Sequence, residues 1–157
     1  MTYKHIAVPD DGAKIQINAD NSISVPNRPI IPFIECDGIG VDITPVMRSV
    51  VDAVVTAAYG GARSIAWMEI FAGEKANAVY GTDTWLPDET LAAVREYLVA
   101  IKNEYPQKDD ASVLLEPDIE YDYLIQVMDT MRSVELPDGG QTTRADLFTA
   151  ISIGDAP

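Results

Sequence analysis

The clearest pattern in the sequence is an apolar repeat between residues 43 and 58. Apolar side chains recur there at the i, i+3, i+4 and i+7 spacing of an amphipathic helix. They are Ile43, Val46, Met47, Val50, Val51, Val54, Val55 and Ala58. Thr44 can cap the amino terminus of this helix and Pro45 suits its first helical position. Gly60 and Gly61 follow the repeat and can end the helix. The pattern predicts a helix with an apolar face to bury.

Two short apolar runs flank this helix. "RPIIPFIE" (28–35) leads into the loop "CDGIG", and "SIAWMEIF" (64–71) follows the paired glycines. Pro29 and Pro32 suit a central antiparallel strand poorly, which favours a buried strand ending in a tight loop. The order strand, glycine loop, helix, strand predicts a β-α-β unit in an α/β fold.

Weaker patterns surround this unit. "HIAVP", "AKIQIN" and "SISVP" predict two or three short strands before residue 28. "AGEKANAVYGTD" predicts a polar connection. A second helix is expected from Pro87, with Asp88 and Glu89 in its first turn. Its apolar face is formed by Leu91, Val94, Leu98 and Ile101. Its end, "YLVAIK", also fits a short strand.

The pattern changes after Lys102. "NEYPQKDDA" predicts a loop or linker. "SVLLEPD" predicts a strand, "IEYDYLIQVMDTMRS" a helix, "VELPDGGQTTR" a surface loop and "ADLFTAISIGDAP" a last strand around 148–153. The inward face of that helix is expected to carry Leu124, Val127, Met128 and Met131. We therefore divide the chain into an α/β segment, 1–102, and a small β-α-β tail, 103–157.

Composition narrows the class of protein. An apolar fraction of 47 % fits a globular protein. The 25 acidic and 11 basic residues give a net charge of −14, which opposes binding to nucleic acid or to an anionic membrane. The charge favours a solvated surface, with a halophilic or cation-binding surface as the alternative. The sequence shows no signal peptide or membrane span, so a cytoplasmic location is expected.

The glycine loop is the most prominent candidate for chemistry. Its backbone N–H groups could approach an anion or cofactor at a helix start. Gly38 and Gly40 do not complete a G-x-G-x-x-G motif, so the spacing alone favours a structural turn. Glu35, Asp37 and Asp42 could bind a divalent cation or supply a base, although solvated acids are favoured.

The remaining candidate residues are expected to have structural roles. Cys36 is the only cysteine, so it forms no internal disulfide, and a small packed side chain is favoured over a reactive thiol. His5 is the sole imidazole and is expected at the surface or in packing. His5 and Cys36 alone cannot form a zinc site, and no metal site is expected. Trp67 and Trp85 are expected as core or interface anchors.

Residues 1–102 closely resemble the amino terminus of bacterial NADP-dependent isocitrate dehydrogenase. The matching stretches are "NRPIIPFIECDGIGVDITPVM", "SIAWMEIFAGEKANAVYGTDTWLPDETL" and "VREYLVAIK". The resemblance implies an isocitrate/isopropylmalate dehydrogenase-like fold whose large domain uses both chain ends. It implies a dimeric oxidoreductase of the tricarboxylic acid cycle, which oxidises isocitrate to 2-oxoglutarate with NADP and Mg or Mn.

The resemblance also assigns residues. The loop Asp37, Gly38, Ile39 and Gly40 would border the cofactor cleft, and Lys102 would be the active-site lysine. Cys36 replaces the first glycine of the family loop. After Lys102 the family continues with "GPLTTP" and a segment that grips the substrate carboxylates, whereas this chain reads "NEYPQKDD". The catalytic set is therefore incomplete, and we expect a truncated enzyme that has no turnover alone.

Residues 104–157 resemble a different family, the carboxy-terminal domain of ExbD/TolR-type biopolymer transport proteins. The stretches are "YPQKDDASVLLEPDIEYDYLIQVMDTMRS" and "LFTAISIGDAP". The resemblance implies a dimerising module that binds a partner in a proton-driven transport complex. Two hypotheses thus stand beside the truncated enzyme. One is an interaction module that forms a homodimer or binds a transport partner, and the other is a recombined or artificial chimera without selected function.

Overall fold

The fold is mixed α/β. A computed structural model describes residues 3–18, 22–81, 83–115, 119–138 and 141–155. The chain divides into two compact units, Met1–Thr90 and Leu91–Pro157, which are described separately. This division falls within a helix rather than at Lys102, and the predicted domain boundary at 102/103 stays a prediction.

The strands of the first unit form two small sheets. β1 (Gln16–Ile17) and β2 (Ile23–Ser24) pair antiparallel. β3 (Ile30–Phe33) and β4 (Ala66–Glu69) pair in parallel, with Ile30 opposite Ala66 and Phe33 opposite Glu69. β1 and β2 match the lower number of the two or three strands predicted before residue 28. No third strand forms over "HIAVP", which is fully described, although its Ile6 is buried.

Helix α1 (Gly40–Tyr59) joins β3 to β4 and confirms the predicted β-α-β unit. It begins four residues before the predicted cap at Thr44, which lies inside the helix and is buried. Pro45 is also inside the helix and supplies no backbone N–H there. The predicted end is confirmed, because Gly60 adopts a left-handed conformation and donates its N–H to the Thr56 carbonyl.

The buried face of α1 differs from the predicted one. Buried Thr44 and partly buried Arg48, Val51 and Val55 share one face, at helical spacing. Most of the predicted stripe is exposed, as Val50 at 57 % shows. The exposed apolar positions of α1 and its start, called the outer stripe below, are Ile39, Val41, Ile43, Val46, Met47, Val50 and Val54. The helix is apolar on more than one side, so periodicity could not select the buried side.

The polar connection after β4 contains a helix that the sequence did not predict. α2 (Gly73–Tyr80) has eight residues, and only its Ala76 is buried. α3 (Asp88–Glu104) begins with Asp88 and Glu89 in its first turn, as predicted. It is helical throughout "YLVAIK", so the strand alternative is wrong.

One buried threonine fixes the start of α3 in the first unit. The Thr90 side chain is fully buried, donates to the Phe71 carbonyl at 2.6 Å and accepts from the Phe71 N–H at 3.2 Å. The apolar core of this unit contains small and medium side chains. They are Ile6, Ala66, Met68, Ile70 and Ala76.

The second unit continues α3 and adds one further helix and four strands. They are β5 (Asp110–Leu115), α4 (Tyr121–Arg132), β6 (Ser133–Asp138), β7 (Gln141–Asp146) and β8 (Ala150–Asp155). β5 and β8 pair in parallel and β6 pairs antiparallel with β7. The predicted strand–helix–strand order is present. The predicted surface loop 134–144 is wrong over its described part, because β6 and β7 occupy it, while residues 139 and 140 lie outside the described residues. The buried side chains are Ala93, Val113, Thr130, Ser133, Leu147 and Phe148.

Candidate functional site

The carboxyl ends of the parallel strands β3 and β4 carry a cluster of charged side chains. Lys75 of α2 places its Nζ 2.9 Å from Glu35 Oε1 and also bonds Glu69 Oε1. Burial would lower the pKa of Lys75, but the hydrogen bonds to Glu69 and Glu35 outweigh it and raise the pKa. Ligands commonly bind at this end of parallel strands. Both carboxylates here are already paired with the ammonium of Lys75.

Asp37 binds the first turn of α2. Its two carboxylate oxygens accept the Glu74 backbone N–H at 2.9 and 3.0 Å. Gly73 permits this approach, because it has φ +69° and a Cβ there would lie 2.6 Å from the Asp37 Cγ. Asp37 thus satisfies a free N–H at a helix amino terminus. No sequence pattern predicts this contact, since the partners are 37 residues apart.

Backbone N–H groups at the start of α1 form hydrogen bonds with carbonyls of the glycine loop itself. The N–H groups of Gly40 and Asp42 bond the carbonyls of Asp37 and Ile39, each at 3.1 Å. Gly38 has φ +59°, with no other atoms within 4 Å of the position that a Cβ would take, and Ile39 is 72 % exposed. The loop therefore offers an open surface, while the N–H groups that would bind a phosphate at the α1 start are occupied.

The other acids and the cysteine near this loop lie at the surface. Cys36 is an exposed free thiol, so the expectation of a packed side chain is wrong. Asp42 is also exposed, in agreement with a solvated acid. In the part of the chain that the structure describes, no three Asp, Glu, His or Cys side chains form a group suited to a metal ion. These donors do not fit the cofactor phosphates or metal that the resemblance implies, and we derive no step through either.

A second polar cluster ties the amino-terminal segment to α3. The backbone N–H groups of Lys4 and His5 donate to the carboxylate of Glu89, the latter at 3.1 Å. Tyr80 donates its hydroxyl to the same carboxylate at 2.7 Å, and the His5 ring lies 4.4 Å from the Tyr80 ring. His5 thus has a packing role in this unit, as expected. The sequence indicated Glu89 only as an acid in the first turn of α3, and it did not indicate Tyr80 or the contact between them.

This cluster shifts two pKa values. Burial would raise the pKa of Glu89, but the hydrogen bonds from Lys4, Tyr80 and His5 outweigh it and lower the pKa. Burial and the hydrogen bond to Glu89 raise the pKa of the Tyr80 hydroxyl. The carboxylate is therefore the charged acceptor and the phenol stays a donor at neutral pH.

Lys102 lies in the second unit and is engaged locally. Its Nζ donates to the Lys108 carbonyl at 2.9 Å and forms an ion pair with Asp109 at 2.7 Å. The ammonium also lies 5.8 Å from the centre of the Phe148 ring. The residues that bind Lys102 come from the stretch where the sequence leaves the family pattern.

No family model matches the chain. The amino-terminal 65 % of the chain matches NADP isocitrate dehydrogenases. The relative from Pseudomonas aeruginosa is 67 % identical over 102 residues, and that from Coxiella burnetii is 64 % identical over 102 residues. A relative from Haloferax volcanii is 46 % identical over 103 residues. Each match covers 65 % of this chain.

The match is confined to part of both sequences. The chain spans about a quarter of the length of these curated relatives, 24 % for the Pseudomonas isocitrate dehydrogenase. These matches lie in the amino-terminal part and give no support to the predicted ExbD/TolR-like tail. Among the described residues, no helix has the length and apolarity needed to cross the bilayer.

Proposed function

We propose that residues 1–102 act as the amino-terminal segment of an NADP-dependent isocitrate dehydrogenase, and that the 157-residue chain does not catalyse the reaction alone. The 67 % identity to the Pseudomonas isocitrate dehydrogenase carries this proposal. In it, the loop Asp37, Gly38, Ile39 and Gly40 forms part of the wall of a cofactor cleft. The proposed substrate is isocitrate, and NADP with Mg or Mn serves the complete enzyme.

The local geometry supports the second half of the proposal. Oxidation of isocitrate requires a tricarboxylate and a nicotinamide ring to be held together in one orientation. The N–H groups of Gly40 and Asp42 bond carbonyls of the glycine loop itself, and Asp37 binds α2. Lys102 bonds Lys108 and Asp109. None of these groups is left to orient a substrate in the way that the reaction demands.

A turnover assay tests this proposal. The purified chain is incubated with isocitrate, NADP and Mg or Mn, and NADPH absorbance is followed against a mock preparation. The complete Pseudomonas enzyme serves as the positive control. We expect no rise above the mock. A rise that Lys102→Met abolishes would contradict the proposal, since the chain would then carry its own active site.

A second candidate function is self-association of the tail into a homodimer. Within the described residues β5 and β8 pair only with each other, and Leu114 and Ile153 on them are exposed. Parallel strands are normally covered on both faces, and open strand edges recruit further strands. We infer that a second copy of the chain covers this small sheet. The transport partner and the cytoplasmic location stay predictions.

Size-exclusion chromatography with light scattering tests self-association. We expect dimers of the full chain and monomers after Leu114→Lys, a charge on the exposed side of β5. Deletion of residues 104–157 is expected to give monomers as well. A dimer that survives both changes would place the contact elsewhere and refute this candidate.

A further inference from the structure

The first unit contains an open-mouthed cavity with aromatic walls, lined in part by residues at the carboxyl ends of β3 and β4. Its volume is about 260 Å³. Its lining includes Phe33, Trp67, Phe71 and the imidazole of His5, with Arg48 and Glu69 as the charged side chains. The Phe33 and Trp67 rings meet edge to face, with centroids 6.0 Å apart. The walls therefore combine ring surfaces with one cationic and one anionic group.

Arg48 lies on these rings without an acceptor. Its guanidinium carbon is 4.3 Å from the centre of the Phe33 ring and 5.5 Å from that of Trp67. Its Nε is buried and has no hydrogen-bond partner. No carboxylate among the described residues pairs with the guanidinium. The two rings hold it by cation–π contacts, which do not themselves use the N–H donors.

Two other polar side chains of the cavity lining already have partners. Glu69 bonds Lys75, and the indole N–H of Trp67 donates to Asp52 Oδ1 at 3.0 Å. Arg48 is therefore the charged group of the described lining that lacks a counter-ion. An unpaired, partly buried cation is destabilising unless an anion or water compensates it.

We propose that this cavity binds a small aromatic carboxylate. A flat ring can stack against the aromatic walls, and a carboxylate can accept hydrogen bonds from the two terminal guanidinium nitrogens of Arg48. At about 260 Å³, the cavity has room for one aromatic ring that carries a carboxylate. Benzoate, a single ring with one carboxylate, matches that size and is the probe of choice. The cavity's occupant is thus defined by one ring and one negative charge.

Nuclear magnetic resonance of the two indole N–H groups tests the proposal on the unchanged chain. Benzoate is expected to shift the Trp67 signal saturably and to leave the Trp85 signal in place, and Trp85→Phe assigns the two signals. Benzyl alcohol has the ring without the charge, and it should require at least about tenfold higher concentration, the usual effect of a charge-assisted hydrogen bond. Acetate, which lacks the ring, should bind weakly as well.

A pair of arginine variants provides the matched control. Arg63 also lies over a ring, 4.8 Å from the centre of Tyr59, but it does not line the cavity. Arg48→Gln should weaken benzoate binding at least about tenfold, and Arg63→Gln should leave it unchanged. Equal shifts by benzoate and benzyl alcohol, an unmoved Trp67 signal, or unchanged binding by Arg48→Gln would each overturn the proposal. If Arg48→Gln does not fold, the comparison of ligands on the unchanged chain decides.

Discussion

The contact between Asp37 and α2 leads to a sharp prediction for Gly73→Ala. Gly73 has φ +69°, and the added methyl carbon would lie 2.6 Å from the Asp37 Cγ. Two costs follow. The alanine must adopt a left-handed backbone conformation, and Asp37 must move away from the Glu74 N–H that it accepts.

The magnitude follows from these two costs. A left-handed alanine costs about 1–2 kcal/mol. Loss of a capping carboxylate costs about 0.5–2 kcal/mol. The expected loss in the free energy of unfolding is therefore roughly 1.5–4 kcal/mol. Gly38→Ala is the matched control, because Gly38 has a similar φ of +59° but no atoms within 4 Å of the added carbon. It should show only the backbone cost.

Urea unfolding followed by tryptophan fluorescence measures both variants. Trp67 and Trp85 both lie in the first unit, so the signal reports the unit that contains the substitutions. Asp37→Ala completes a double-mutant cycle, in which Gly73→Ala should cost less once the carboxylate is absent. The reasoning fails if Gly73→Ala costs no more than Gly38→Ala, or if its cost is the same with and without Asp37.

Three further predictions concern other contacts. Thr90→Val keeps the shape of a fully buried side chain but removes both hydrogen bonds to Phe71, so the free energy of unfolding should fall by about 1–3 kcal/mol. Thr90→Ser, which keeps the hydroxyl, should have a smaller effect in the same urea titration. Glu89 has a folded-state pKa below the ordinary 4.5, so its contribution to stability is complete above pH 4.5 and is lost as the pH falls through the folded pKa. The stability difference between wild type and Glu89→Gln, measured from unfolding midpoints, should therefore shrink from neutral to acidic pH. A difference that does not depend on pH would contradict this. Val50→Lys on the outer stripe should change the free energy of unfolding by less than about 0.5 kcal/mol, whereas Val51→Lys on the partly buried face of α1 should clearly destabilise the first unit. Equal effects would mean that the outer stripe is covered.

The sequence predicted the elements whose signals are local. α1, α3 and α4 carry apolar repeats longer than two turns, and the β3–α1–β4 unit follows from two short apolar runs around such a repeat. Asp88 and Glu89 marked the start of α3 because acids are favoured in a first helical turn. α2 was missed because eight residues with one buried side chain give no repeat to detect. The β6–β7 hairpin was missed because Pro137 and the following residues indicate a loop.

The contacts of the candidate site could not be predicted in the same way. Asp37 and Glu74, Arg48 and Phe33, and Glu89 and His5 meet only after the chain has folded, since 15 to 84 residues separate the members of these pairs. No spacing rule brings such partners together. The same holds for Lys102. The family resemblance implied an active-site role for it, but did not predict its ion pair with Asp109.

The outer stripe of α1 has a thermal consequence. Heat capacity rises on unfolding because apolar groups enter water. The stripe is already hydrated in the folded chain, since Val46, Val50 and Val54 are 57–62 % exposed. Those side chains therefore add little to the heat-capacity change on unfolding. A chain of 157 residues ordinarily gains roughly 2 kcal/mol/K. We expect calorimetry to give a smaller gain, and hence a flat dependence of stability on temperature with cold unfolding pushed far below freezing.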